Sequence, residues 1–287
     1  MFFIVGSAIV LASVVGGYLA NGGHMIVLWQ PFELVIILGA AAGGFITANR
    51  KPVLAASGKA IAGLLKGEKY DKEAYLELLS LLYTVFKLAK TKGALALEQH
   101  CEKPEESTLF AQYPKFNGDH HAVVFLCDYL RLLTLGTDNH HEMETLMDEE
   151  IETHHEEQHA VYAAIQTVAD GLPALGIVAA VLGVIHTMGS ITEPPAVLGE
   201  LIGGALVGTF CGVLFAYGFV GPIASAVKAR CDAEVKYFMC IKAGLLAYMQ
   251  GYAPAIAVEF GRKALNTDVR PTFYEVEEAV EAAPAAA

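Results

Sequence analysis

No lysine or arginine occurs before Arg50, and none lies between Arg131 and Lys228. The basic side chains fall instead in two blocks, Arg50 to Arg131 and Lys228 to Arg270. The tracts without them hold the longest apolar runs, and the two central runs also lack a carboxylate in their middle. Between Leu172 and Leu198 the ionisable groups are His186 and Glu193; between Leu201 and Gly221 only the weak acids Cys211 and Tyr217 remain. A proton or cation route through a bilayer ordinarily marks itself with an acid or base in mid-membrane. If this chain lines such a route, another polypeptide must bring the carboxylate. The start of the chain lacks a basic region and a small-residue cleavage site, so its apolar run reads as an uncleaved span rather than a signal peptide. A net charge of −12 argues against a nucleic-acid partner.

What is present is apolar length. Hydrophobic residues make up 54% of the 287, with a mean hydropathy of +0.45. Runs of about 18 residues or more read as membrane spans. Four meet or approach that length: Phe2 to Ala20, Phe32 to Ala48, Leu172 to Met188 and Leu198 to Gly221. The links Asn21 to Pro31 and Gly189 to Val197 carry no basic residue, so the positive-inside rule places them outside, and both basic blocks and both termini in the cytoplasm. The five cysteines, Cys101, Cys127, Cys211, Cys231 and Cys240, then all lie in the cytoplasm or the membrane, where a disulfide framework is not expected.

Small residues recur along both central runs. Gly204, Gly208, Gly212 and Ala216 come every fourth residue, and Pro173, Gly176, Ala180, Gly183 and Thr187 alternate three and four apart. That spacing lets helix backbones approach closely in lipid. Gly39 and Gly43 form a further such pair, read as packing. Glu33, at the opening of the second span, reads as a helix-start carboxylate facing water and the positive end of the dipole, with an ion or partner contact as the alternative.

Between the spans the pattern is helical. Val53 to Leu65 reads as a short amphipathic helix. Asp71 caps a longer one, whose apolar face is Tyr75, Leu78, Leu79, Leu82, Val85, Phe86 and Ala89. Gly93 interrupts it, Ala94 to Cys101 adds about two turns, and Pro104 stops it. Ala122 to Leu135 is apolar enough to be the buried centre of this part. From Asp138 an acidic helix is expected to run into the third span, with Pro173 kinking it. Its carboxylates form a solvated face or, alternatively, a vestibule that attracts cations. Ile223 to about Met249 reads as a helix packed on that acidic stretch, and Glu275 to Ala287 as disordered. The expected segments are thus 1–48 (first two spans), 49–168 (cytoplasmic helical domain), 169–222 (third and fourth spans) and 223–287 (C-terminal helix and tail). The fold class is an all-α, four-span membrane protein.

His155-Glu156-Glu157-Gln158-His159 matches H-E-x-x-H, which would put two zinc ligands on one helical face with Glu156 as general base. The surroundings are wholly polar, and Glu193 and Glu200 are expected on the far side of the membrane, so a catalytic metal is not expected. The pairs His120-His121 and His140-His141 read as exposed polar residues.

Longer motifs carry more. Ala205 to Leu214 (Ala-Leu-Val-Gly-Thr-Phe-Cys-Gly-Val-Leu), followed after seven residues by Pro222, resembles the signature of the flagellar stator A subunit, the MotA family. The resemblance continues in Gly16 to Leu19, Gln30 to Ile37, Met147 to His154, Leu172 to Val181 and Gly251 to Lys263. It implies a subunit of an ion-driven stator, not an enzyme and without a cofactor, in the bacterial inner membrane. It further implies a pentamer around a dimer of a MotB-type partner, whose single span carries the ion-binding aspartate. By resemblance Ala180, Thr209 and Tyr217 border the ion route, and Pro173 and Pro222 serve the conformational step. Lys90, Glu98 and Glu150 match the family's charged positions facing the rotor protein FliG; many relatives have arginine where Lys90 stands. Methyl groups at Ala179-Ala180, where sodium-type relatives place a threonine hydroxyl, favour protons over a hard cation needing several oxygen ligands. The alternatives are an ExbB/TolQ-type energiser of outer-membrane transport, whose three spans and loop placement differ, the zinc protease above, and a purely structural membrane scaffold.

Overall fold

The computed structural model describes residues 2–137 and 139–282, and the described residues are helical with no strand. Asp138, the expected start of the acidic helix, and 283–287, the end of the expected disordered tail, lie outside the described residues. In chain order the α-helices are α1 (Phe2–Ala20), α2 (Met25–Leu28), α3 (Pro31–Ala48), α4 (Lys51–Leu64), α5 (Lys72–Lys92), α6 (Glu98–Glu102), α7 (Pro114–Asn117), α8 (His120–Thr134), α9 (His140–Met188), α10 (Pro195–Phe215), α11 (Gly221–Met249), α12 (Pro254–Lys263) and α13 (Phe273–Ala282). The chain forms two compact units, Met1–Gly67 with Glu157–Ala229, and Glu68–Glu156 with Arg230–Ala287.

The first unit contains the stretches long and apolar enough to cross a membrane, in α1, in α2 with α3, in α9, and in α10. Pro31 and Pro195 sit at the first turns of α3 and α10, where a missing N–H leaves no hydrogen bond unmade. These two helices and the later part of α9 close around Ile37, Leu172, Ala179, Val207, Cys211 and Ala216. By contrast α1 is apolar all round and exposed along its length, as a helix is when it meets lipid or another chain. Between α10 and α11, Ala216–Val220 forms a π-turn in which the Gly221 N–H donates to the Ala216 carbonyl. Pro222 has no N–H for the Gly218 carbonyl and would crowd it in an α-helix. The wider turn just ahead absorbs that mismatch.

In the second unit Asp71 caps α5 as expected, its Oδ1 accepting from the Ala74 N–H at 2.8 Å. Helix α5 ends at Gly93, whose φ of +87° suits glycine. Helix α8 lies in the core of this unit as expected, and α5 shares that core with a wider buried surface. Besides the expected apolar face, Leu81 and Leu88 are buried. So are Ser80 and Thr84, whose hydroxyls donate to the carbonyls four residues back, at 2.9 Å each. Those local bonds let polar residues occupy a second buried face, which an apolar periodicity does not register. Helix α11 packs on the acidic part of α9, where Lys242 donates to Asp148 at 2.6 Å.

The expected disorder from Glu275 is corrected over the described residues: α13 is a helix with Val276 buried. Its start is a capping box. The Thr272 N–H donates to Glu275 Oε2 at 2.7 Å, the Glu275 N–H donates to Thr272 Oγ1 at 3.3 Å, and Lys72 donates to Glu275 Oε1 at 2.6 Å. Hydrogen bonding from Lys72, then from Thr272, holds the Glu275 carboxyl down at about 2, against an ordinary 4.5. A depressed acid stabilises the fold above its unfolded value. The contribution is therefore complete above about pH 4.5 and lost as pH falls through about 2. Amide exchange in α13 is expected to accelerate over that window, and Glu275→Gln to abolish the dependence.

Arg262, 8% exposed, pins the segment ahead of α13. Its Nε and Nη2 donate to both Glu259 oxygens at 2.7 Å, and its Nη1 donates to the Pro271 carbonyl at 3.0 Å. Lysine keeps the charge but not the planar fork. Arg262→Lys is expected to cost about 2 kcal/mol, read by thermal unfolding of the purified chain.

Candidate functional site

The small residues of α9 and α10 meet at backbone distance. A Cβ on Gly176 would stand 2.8 Å from the Gly208 carbonyl oxygen, and one on Gly212 would stand 2.7 Å from that of Leu172. A Cβ on Gly208 would stand 3.0 Å from both the Ala179 methyl and the Ala180 nitrogen, and one on Gly183 would stand 2.7 Å from the Ala205 methyl. Each lies at or inside the limit of normal contact, so glycine at these positions is what allows the two helices to touch. Gly39 and Gly43 differ: nothing lies within 4 Å of a Cβ on either. Their expected packing role is not met among the described residues.

Two sequence-derived candidates lie in this contact layer. Ala180 is buried beside Gly208, and the half-buried Thr209 has its Cα 3.3 Å from the Cβ position of Gly176. Tyr217 stands apart, 73% exposed in the π-turn. Pro173 is half-buried on α9, next to the Leu172 carbonyl that abuts Gly212, and α9 continues through it. Pro222 is exposed.

Glu33 meets the water-facing reading only in part, because its side chain is half-buried. Its Oε1 lies 3.1 Å from the Cβ position of Gly183, and its Oε2 lies 2.8 Å from that of Gly208. Oε2 is buried and has no hydrogen-bond partner among the described residues. The carboxylate therefore fills room left by two absent side chains. A first-turn position on α3 gives it about 0.3–1 kcal/mol from the helix dipole. Water still screens a half-buried side chain, so the uncompensated part of the cost is that of the one oxygen, Oε2, that has lost its water. One turn earlier, the Gln30 amide nitrogen lies 3.0 Å from the Cβ position of Gly204. A 3,4-spaced ridge of glycines facing a carboxylate and an amide three residues apart is the signal that was available in the sequence.

The charged candidates belong to the second unit. Lys90, in the last turn of α5, and Glu98, in the first turn of α6, are both exposed and flank the Gly93 turn. Glu150, exposed on α9, accepts from the Tyr129 hydroxyl at 2.7 Å. It also borders a cavity of about 180 Å³ together with His120, His121 and His154. His154 stands 3.6 Å from Glu234, and the His159 ring packs its edge on Tyr162. Among the described residues no three ligating side chains converge as a metal site would need, so the H-E-x-x-H spacing gains no third ligand.

Known proteins share this arrangement of sequence. Residues 4–93 match the family described as Motility protein A N-terminal, and residues 122–239 match the MotA/TolQ/ExbB proton channel family. Over 98% of its length the chain is 46% identical to Motility protein A of Salmonella typhimurium, covering 96% of that protein. It is 37% identical to Chemotaxis protein LafT of Vibrio parahaemolyticus, over 93% of this chain and 94% of that one. The structure of C. jejuni MotAB matches with a TM-score of 0.78 over 93% of this chain and 96% of that chain, at 21% identity. The flagellar MotAB stator complex from Bacillus subtilis matches with a TM-score of 0.68 over 89% and 92%, at 22% identity. At those identities the two structures show the fold alone. Near-full-length identity to a motility protein and the two family matches lead to one conclusion: this multi-pass membrane chain belongs to the motility protein A family, within the MotA/TolQ/ExbB proton channel family.

Proposed function

We propose that this chain is the A subunit of a proton-driven flagellar stator in the bacterial inner membrane, acting with a MotB-type partner. The observation that carries the reading is the near-full-length identity to a motility protein A. The glycine-tight α9–α10 wall, with no carboxylate at the centre of either span, supports it. The ExbB/TolQ alternative shares only the family matched by residues 122–239, whereas residues 4–93 match a motility-specific family.

In this reading both termini and the second unit are cytoplasmic, and five copies surround a partner dimer. Exposed apolar side chains along α1 and α9, such as Ile9 and Ile185, suit lipid and neighbouring copies. Ala180, Thr209 and Tyr217 border the ion route, and the partner's aspartate binds the ion. One charge crossing the membrane releases about 2.3 kcal/mol per 100 mV, enough to bias one packing of A against B over another. Pro173 and Pro222 shape the helices that make that step. Lys90, Glu98 and Glu150 meet the rotor protein FliG. The ion is a proton, because Ala179 and Ala180 offer it methyl groups rather than oxygen ligands.

The test is complementation of a strain lacking its own A subunit, with rotor speed measured against membrane potential and sodium. Rotation that follows proton-motive force and ignores sodium supports the reading; speed that follows sodium overturns the proton assignment. Pro222→Ala returns an N–H at the π-turn and is expected to lower rotor speed without lowering membrane content. Normal swimming in both Thr209→Ala and Pro173→Ala would remove those residues from the scheme.

A further inference from the structure

Glu33 has no part in that scheme, yet it is the carboxylate lodged in the wall of the first unit. Among the described residues nothing donates to its buried Oε2. The elements around it offer no fixed cation. Helix α3 has no other ionisable residue, and α2 follows the exposed His24. Helix α9 brings the exposed His186 at this end, with Asp170 and Tyr162 farther along, and the turn after it holds the exposed Glu193. Helix α10 brings the exposed Glu200 and the buried Cys211, whose thiol lies within electrostatic reach of Glu33. Lysine and arginine are absent from α1, α2, α3 and α10, and from the whole of α9. A half-buried carboxylate with one oxygen shut off from water and no countercharge beside it is completed by a proton or a small cation.

The surroundings form a graded approach. The start of α2, Met25 and Ile26, is exposed, Gln30 and Glu33 are half-buried, and the Glu33 carboxylate reaches the gap between Gly183 and Gly208. Ala180 and Thr209 flank Gly208 in the same layer. We propose that Glu33 is a second proton-binding carboxylate of this ion path, charged from the aqueous side ahead of the partner's aspartate. Its ionised oxygen takes a proton from hydronium and releases water. The neutral acid then gives that proton to a water molecule on the inner side, regenerating carboxylate and hydronium. The inference rests on the stator reading above.

The test compares wild type, Glu33→Gln and Glu33→Asp in the complex with the partner, at matched membrane content. Rotor speed is measured across external pH at constant proton-motive force. Glu33→Gln is expected to be slower than wild type by about tenfold at alkaline external pH, the low end of what a fixed charge adds to capture rate. It is expected to approach wild type in acid, with Glu33→Asp intermediate. Infrared spectra of the purified complex are expected to lose one protonated-carboxyl band in Glu33→Gln. A pH profile that is unchanged, or lowered by one constant factor, overturns the proposal, as do identical spectra. If the wild-type chain fails to restore rotation the stator reading fails instead, and the infrared titration still decides whether Glu33 binds a proton.

Discussion

Gly176→Val is expected to abolish rotation and to deplete the chain from the membrane. The first added carbon would stand 2.8 Å from the Gly208 carbonyl oxygen and 3.0 Å from the Gly212 Cα. Neither is the free end of a flexible side chain; both belong to a helix backbone. Rotamer changes therefore cannot relieve the contact, and α9 and α10 must separate. Overpacking a well-packed core costs about 1–3 kcal/mol where side chains can yield, and here they cannot. Separation also uncovers Ala179, Val207 and Cys211, which this contact buries. Gly212→Ala, whose added carbon stands 2.7 Å from the Leu172 carbonyl oxygen, should give a milder form of the same defect, because alanine adds one carbon where valine adds three. Gly39→Ala and Gly43→Ala are the controls. With nothing within 4 Å of either added carbon, the chain should accumulate normally. Immunoblots of membranes and limited proteolysis read the fold, and tethered-cell rotation reads the function. Normal membrane levels of Gly176→Val would refute the backbone contact.

Asp119→Ala is expected to destabilise the second unit by about 2 kcal/mol, the scale for removing a charged acceptor from a buried hydroxyl. Asp119 is 3% exposed and serves two neighbours. The Tyr70 hydroxyl donates to its Oδ2 at 2.8 Å, and the Lys69 ammonium stands 2.9 Å from its Oδ1. Burial first, then the charges of Glu234 and Asp119, push the Tyr70 phenol far above its usual range, so it remains a donor. Without Asp119 the phenol loses its short bond and is left with the Glu234 carboxylate as the acceptor within its reach, in a pocket where its ring packs on that of Tyr237. Lys69, one third exposed, can turn to water, so the loss falls mainly on Tyr70. Asp119→Asn retains an acceptor for the phenol and gives up only a half-screened ion pair, for a loss of about 1 kcal/mol. Urea unfolding of the purified chain measures both. Equal losses for the two variants would show that the ion pair, not the hydroxyl bond, holds this corner.

Much of the fold follows from chemistry local in sequence. Each span is a run of apolar residues long enough by itself. The Asp71 cap, the Gly93 break and the Pro31 start each depend on a few neighbouring residues. The Thr272 to Glu275 capping box is equally local, but the Glu/Ala/Pro composition after it argues the other way. Packing of Val276 and the Lys72 contact with Glu275 decide for helix. The small-residue ridges of α9 and α10 announce that they pack on a helix, though not on which one.

Sequence alone therefore determined the class, the spans, the absence of a mid-span acid and the family resemblance, because each depends on residue type and spacing along one segment. Tertiary structure alone decided that α5 buries a second face, that Gly39 and Gly43 meet nothing among the described residues, and that Glu33 is lodged against Gly183 and Gly208. The physical reason is common to all three. Whether a side chain meets water, lipid or another helix is set by contacts between segments far apart in the chain. A carboxylate at a helix start looks the same in either surrounding until its neighbours are in place.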